Sequence, residues 1–172
     1  AEGRVRLPSG AVEGASIQRL LARLTWPAAA VRDFRRFPRP FVAVATDLDT
    51  GDAVPIGRGV LADAMRASMA IPGAVEPYRI GERILVDGGL ARNLPAEDAR
   101  DLGADLVICS DVSEPLESAE SLVSFVDVLM QTVAWSTSAS TRAQREDCDV
   151  LIEPEIEGLA SLDFDAADEW IA

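Results

Sequence analysis

The chain has 172 residues, 48% of them hydrophobic, with 29 acidic against 16 basic residues and a formal charge of −13. That length suits one domain able to bury about 70% of its unfolded surface, and the apolar fraction is too high for intrinsic disorder. Every basic residue is arginine: with no lysine and no histidine in these residues, a Ser-His-Asp triad, a Schiff-base lysine, a Walker lysine and a histidine metal ligand are excluded here, and the negative charge argues against nucleic acid as a partner.

Residues Ala1–Gly14 are rich in Gly and Pro and read as loop. They start without Met and without the apolar stretch of a signal peptide, so the expectation is an excised or processed segment of a longer protein. Ser16 fits an N-cap, and Ile17, Leu20, Leu21 and Leu24 follow at i, i+3, i+4 and i+7, predicting a short amphipathic helix that closes before Pro27. Ala28–Pro40 reads as an irregular basic loop, its Arg32, Arg35, Arg36 and Arg39 pinned by Phe34 and Phe37. The acidic body predicts weak attraction to anionic bilayers unless Arg32–Arg39 forms a local basic patch.

Phe41–Thr46 and Ala53–Ile56 flank the turn Asp49-Thr50-Gly51-Asp52 and predict a β-hairpin. Val60–Ala70 predicts a helix with Leu61, Ala64, Met65 and Ser68 on one side, stopped by Pro72-Gly73. Tyr78–Ile80 and Arg83–Val86 flank Gly81-Glu82, a pair suited to a type II′ turn.

From Ile84 the pattern alternates short apolar strands with helices. Ile84–Val86 ends at Asp87-Gly88-Gly89; Pro95 fits a first helical position with Glu97 and Asp98 behind it, and Gly103 fits the site just past the helix end. Leu106–Cys109 is a continuously apolar strand, Ser118 fits the cap of a long helix carrying Leu122, Phe125, Val126, Leu129 and Val133, and Val150–Ile152 is the last strand. This rhythm predicts α/β with a parallel sheet and right-handed crossovers in one domain or part of one. Cys109 and Cys148 lie in apolar surroundings and read as buried reduced thiols. No stretch approaches the about 18 apolar residues of a membrane span.

In parallel α/β sheets, ligands collect beyond the carboxyl ends of strands. Asp87 is at such an end, and Gly88 and Gly89 let backbone or substrate come close. A carboxylate there can take a proton from a neighbouring hydroxyl, or simply cap the following turn. Asp111 ends the next strand without glycines and reads as a cap.

Four ordered blocks carry a resemblance: Val42–Gly51 (Val-Ala-Val-Ala-Thr-Asp-Leu-Asp-Thr-Gly), Arg66–Gly73 (Arg-Ala-Ser-Met-Ala-Ile-Pro-Gly), Leu85–Pro95 (Leu-Val-Asp-Gly-Gly-Leu-Ala-Arg-Asn-Leu-Pro) and Leu102–Ile108. Together they resemble the bacterial patatin-like phospholipases, from about Gly10 to Asp168. The resemblance implies a three-layer α/β/α hydrolase with a mainly parallel sheet, acting on phospholipid or other acyl esters through a Ser-Asp dyad, without metal or organic cofactor. Asp87 maps onto the aspartate of the family's Asp-Gly-Gly or Asp-Gly-Ala motif, the general base, with Gly88 and Gly89 completing it. The family's serine sits in Gly-x-Ser-x-Gly after a glycine-rich oxyanion loop. No serine here has glycine at both −2 and +2, and Ser68 reads as a packing residue. The nucleophile and oxyanion loop are therefore expected upstream of Ala1, in an N-terminal segment of the same protein. The 172 residues form a single partial domain, expected to be cytoplasmic or membrane-peripheral, with secretion left open.

Three other readings compete. A non-catalytic module on the same fold would have lost its nucleophile. A phosphohydrolase of the haloacid dehalogenase type would use Asp47-Leu48-Asp49, yet Thr50-Gly51 reverses that family's order and no downstream Asp-Asp pair awaits magnesium. A calcium loop would use Asp47, Asp49 and Asp52, but its twelfth position holds Arg58 instead of glutamate.

Overall fold

A computed structural model of the chain describes residues 10–12, 14–113, 116, 118, 120 and 123–155. In chain order its first half holds β1 (Gly10–Val12), α1 (Gly14–Leu24), β2 (Ala43–Asp47), β3 (Ala53–Ile56), α2 (Leu61–Ser68) and β4 (Gly73–Val75). Then come β5 (Tyr78–Ile80), β6 (Arg83–Asp87), α3 (Ala96–Asp101), β7 (Ile108–Ser110), α4 (Phe125–Gln144) and β8 (Val150–Ile152). Short 3₁₀ turns lie at Trp26–Ala28, Phe34–Arg36, Gly88–Leu90 and Arg145–Asp147.

The central sheet has the order β3-β2-β6-β5. β2 is buried along its whole length and lies antiparallel to both neighbours, with Ala43 opposite Ile56 and Ala45 opposite Asp87. Small side chains let α2 lie close to this sheet. Ala64 packs with Ala43 and Phe34, and Ala67 with Ala45 and Leu85. Phe34, fully buried, stacks on Phe37 at 5.4 Å between ring centroids, which is the aromatic pin expected of the basic loop. Another core, Leu94, Ala96, Val107 and Cys109, joins α3 to β7. Side-chain bonds tie the helices together: Gln18 and Tyr78 both donate to Asp63 Oδ1, at 2.7 and 2.9 Å. Burial and the Asp63 carboxylate push the Tyr78 hydroxyl up to about 12.

The chain is α/β, but its main sheet is antiparallel, not the mainly parallel sheet of a three-layer fold. Only the pairs β1–β4 and β7–β8 run parallel among the described residues. The apolar run at β6 correctly announced burial, and burial carries no direction. Two-residue turns such as Gly81-Glu82, where Gly81 has φ +63°, join antiparallel partners only. β1 corrects the loop reading of Ala1–Gly14: a three-residue strand paired with another offers too little periodicity to see.

Cys109 and Cys148 are not reduced thiols. They form a disulfide across 39 residues, with Cα atoms 5.9 Å apart. Apolar surroundings suit either state, and the pairing arises because Cys148 precedes β8, which lies beside β7. α4 starts at Phe125, capped by Ser124 in a reciprocal box with Asp127, not at Ser118; Leu122 lies outside the described residues. α1 likewise begins at Gly14, ahead of Ser16, and Pro95 takes the N-cap of α3 instead of its first turn.

Candidate active site

Asp87 is the last residue of β6, and each of its backbone groups is held. Its N–H donates to the Ala70 carbonyl at 3.0 Å, and its own carbonyl accepts from the Thr46 hydroxyl at 2.7 Å. Thr46, buried in β2, accepts in turn from the Ala91 N–H at 3.2 Å. The chain then closes into the Gly88–Leu90 turn, which Asp87 caps: Oδ1 accepts from the Gly89 N–H at 2.7 Å. Gly88 lies so close to β2 that an added Cβ would sit 2.1 Å from the Val44 carbonyl oxygen. At Gly89 it would sit 3.0 Å from Asp87 Oδ1 and from Asn93 Oδ1. From the other side Gln144 of α4 braces the loop, accepting from the Leu94 N–H at 2.8 Å.

The carboxylate opens on a groove of about 420 Å³. Phe41, Val42, Met65 and Met69 give it an apolar wall; Ser68, Asp87, Arg92 and Asn93 are its polar members. Burial raises the Asp87 carboxyl above the ordinary carboxylate range, opposed by the Gly89 N–H. Among the described residues Oδ2 has no hydrogen-bond partner, so one oxygen is fixed and the other is available to receive a proton. Arg92 is already engaged, at 2.7 Å from Asp98 and 3.7 Å from Glu97, and brings no unpaired cation to the groove.

Asp87, Gly88 and Gly89 thus converge on one groove, and both meanings of the aspartate, cap and candidate base, coexist. Ser68 ends α2 in the wall of the same groove. Asp111 is buried elsewhere as a cap and ion pair, accepting from the Ser113 N–H and facing Arg145 at 2.7 Å. Burial alone would raise its pKa, but Ser113 and Arg145 together hold it low. Asp47, Asp49 and Asp52 decorate the β2–β3 turn, where Asp47 Oδ1 accepts from the Asp49 N–H; no carboxylate cluster suited to a metal occurs among the described residues. Sequence reading missed Thr46 and Gln144. Their bonds reach 45 and 50 residues along the chain, beyond any local pattern.

The model of one family, described as patatin-like phospholipase, matches residues 2–100, more than half of the chain and the whole Asp87 loop. The chain belongs to the patatin-like phospholipase family. An uncharacterized NTE family protein of Mycobacterium tuberculosis, Rv1063c, is 44% identical over 85 residues, covering 46% of this chain and 24% of its own length. Lysophospholipase NTE1 of Saccharomyces cerevisiae is 25% identical over 209 residues, covering 97% of this chain and 12% of its own length. Patatin-like phospholipase domain-containing protein 7 of Rattus norvegicus is 40% identical over 76 residues, 42% of this chain and 6% of its own. This patatin-like chain therefore spans about a quarter or less of the curated relatives it matches. No described helix is long and apolar enough to cross a membrane.

Proposed function

We propose that this chain supplies the general base of a lipid acyl hydrolase whose nucleophilic serine lies outside these 172 residues. The observation that carries the reading is Asp87: a half-buried carboxylate of raised pKa, one oxygen fixed by Gly89, the other without a partner among the described residues, on a partly apolar groove. As the serine oxygen attacks the ester carbonyl of a phospholipid or other acyl ester, its proton passes to Asp87. When the tetrahedral intermediate collapses, Asp87 returns that proton to the departing alcohol, leaving the acyl-enzyme. Asp87 then takes a proton from water; the resulting attack releases the fatty acid and the proton restores the serine hydroxyl. The scheme calls for no metal or organic cofactor. Membership of a phospholipase family supports it, as does the printed name of the yeast relative.

The test is Asp87→Asn in the full-length protein that contains these residues. Turnover of a soluble p-nitrophenyl ester should fall by about 10² to 10⁴-fold, the range of a general base, while the protein stays folded. Turnover within a few-fold of the parent removes Asp87 from the chemistry and favours a non-catalytic module on this fold. The 172-residue chain alone is expected to show none.

A further inference from the structure

Between residues 14 and 40 the arginines Arg19, Arg23, Arg32, Arg35, Arg36 and Arg39 face a single acidic residue, Asp33, in a chain whose total charge is −13. The fold gathers them at one end. α1 runs alongside α2 in the opposite sense: Gly14 sits against Arg66, and one turn on Gln18 bonds Asp63. The C-terminal end of α1, followed by Trp26, is therefore directed toward the start of α2, which Arg58 precedes in the chain. There the Arg32 carbonyl accepts from the Gly59 N–H and the Phe34 N–H donates to the Gly57 carbonyl, both at 2.8 Å, while Asp33 pairs with Arg58 in an isolated bridge. Among the described residues only Arg35 of this group is ion-paired, to Asp33 at 3.1 Å; Arg32, Arg36, Arg39 and Arg58 are exposed.

Apolar groups stand among these cations. Trp26 is 76% exposed, Leu24 65% and Leu20, one helical turn earlier on the same face, 55%. They cluster at the end of α1 and in the turn after it instead of being scattered singly. β2 separates this surface from the acidic turn: the arginine loop meets its Ala43 end, and Asp47, Asp49 and Asp52 lie at the other, about 14 Å away at the strand rise per residue. The basic end also borders the groove. The Phe41 N–H donates to the Phe34 carbonyl at 3.3 Å, and Phe41 forms part of the groove wall.

We infer that this surface, the end of α1 with Trp26 and the arginines at 32–39 and 58, docks on an anionic lipid bilayer and sets the Phe41 side of the groove against it. Arginines within reach of a negatively charged leaflet each strengthen binding about fivefold, and Trp and Leu enter the interfacial layer. Screening over about 8 Å at physiological salt confines each charge to what it meets locally, so the acidic remainder does not cancel the patch. The docking stands on charge and exposure; what it delivers to the groove rests on the hydrolase reading.

The test is sedimentation of the full-length protein with vesicles of phosphatidylcholine alone and vesicles containing phosphatidylglycerol. Binding should require phosphatidylglycerol, weaken about 25-fold in Arg36→Gln/Arg39→Gln, and vanish near 1 M salt. Arg79→Gln/Arg83→Gln, which removes equal charge from the β5–β6 hairpin, should leave it unchanged, and Trp26→Ser should weaken it. Equal binding to both vesicles, no binding to either, full binding by Arg36→Gln/Arg39→Gln, or capture of RNA in preference to phosphatidylglycerol each overturn the proposal. Soluble-ester turnover separates the two readings. Arg36→Gln/Arg39→Gln should retain it, so a failed vesicle assay beside an inactive Asp87→Asn protein sinks the docking alone. Charge-dependent docking beside an active Asp87→Asn protein sinks the catalytic reading alone.

Discussion

Because burial outweighs the Gly89 N–H bond, folded Asp87 keeps its proton to a higher pH than it does in the unfolded chain. Across the window between the ordinary carboxylate pKa and the raised one, the folded state binds more protons, so stability falls as pH rises through it. Above the window the full penalty stands, about 1.4 kcal/mol for each unit of displacement. Asn keeps an oxygen for the Gly89 N–H and carries no charge. Asp87→Asn should therefore melt higher than the parent near pH 7 and converge with it below the ordinary carboxylate range, read by thermal unfolding at both pH values. On the proposed hydrolase reading, the acid limb of kcat/KM in the full-length parent protein should lie above that ordinary range, since a base must first ionise. A lower Tm for Asp87→Asn would make the carboxylate a structural group. Thr46 acts one step behind it. Thr46→Val leaves the Asp87 carbonyl without the hydroxyl it accepts from and the Ala91 N–H with the Gly88 carbonyl alone, costing about 1–3 kcal/mol. Turnover should drop about tenfold or more as Asp87 loses its placement, with the acid limb unmoved. Thr46→Ser should restore both; a Thr46→Val protein of parental activity would strike Thr46 from the site.

Elements with a local signature were legible in the sequence. The β2–β3 and β5–β6 hairpins announced themselves through turn residues, α2 through the spacing of Leu61, Ala64, Met65 and Ser68 and its Pro72-Gly73 stop, and β8 through an apolar triplet. The antiparallel β2–β6 pairing that joins the two hairpins into one sheet, the β1–β4 pairing and the disulfide depend on partners far along the chain, and no local pattern encodes them. The site divides in the same way: Asp87 stood out at a strand end before two glycines, whereas Thr46 and Gln144 act through long-range bonds to its backbone loop. The glycine pair is also unequal in a way that spacing hides. A methyl at Gly88 meets β2 backbone at 2.1 Å, which only separation of the turn from the strand relieves; at Gly89 it meets side-chain oxygens at 3.0 Å, which can move. Gly88→Ala should lower stability by about 3–5 kcal/mol and Gly89→Ala by about 1 kcal/mol, from urea midpoints at unchanged slope. The opposite ranking would place the strand-to-turn contact elsewhere.

At the scale of the molecule, one covalent link joins the C-terminal strands. β7 and β8 share a ladder of three residue pairs, too short to hold a parallel pair firmly, and the Cys109–Cys148 bridge closes a loop of 39 residues beside it. On the chain-entropy account a loop of that length stabilises by about 4 kcal/mol, a large part of the roughly 5–15 kcal/mol that keeps a domain folded. The bridge belongs with the core of Leu94, Ala96 and Val107, and the Leu94 N–H is where Gln144 braces the loop that follows Asp87. Loosening it therefore reaches the candidate site as well as the strands. In a compartment that keeps thiols reduced, the same fold would have to stand without this constraint. Reductant, or the pair Cys109→Ser and Cys148→Ser, should lower Tm by about 8–16 °C, and thiol labelling of the native protein should leave Cys109 and Cys148 unmodified until reductant is added. Labelling of Cys109 and Cys148 in the native protein, or a melting temperature indifferent to reduction, would leave β7 and β8 to be held by their ladder and core alone.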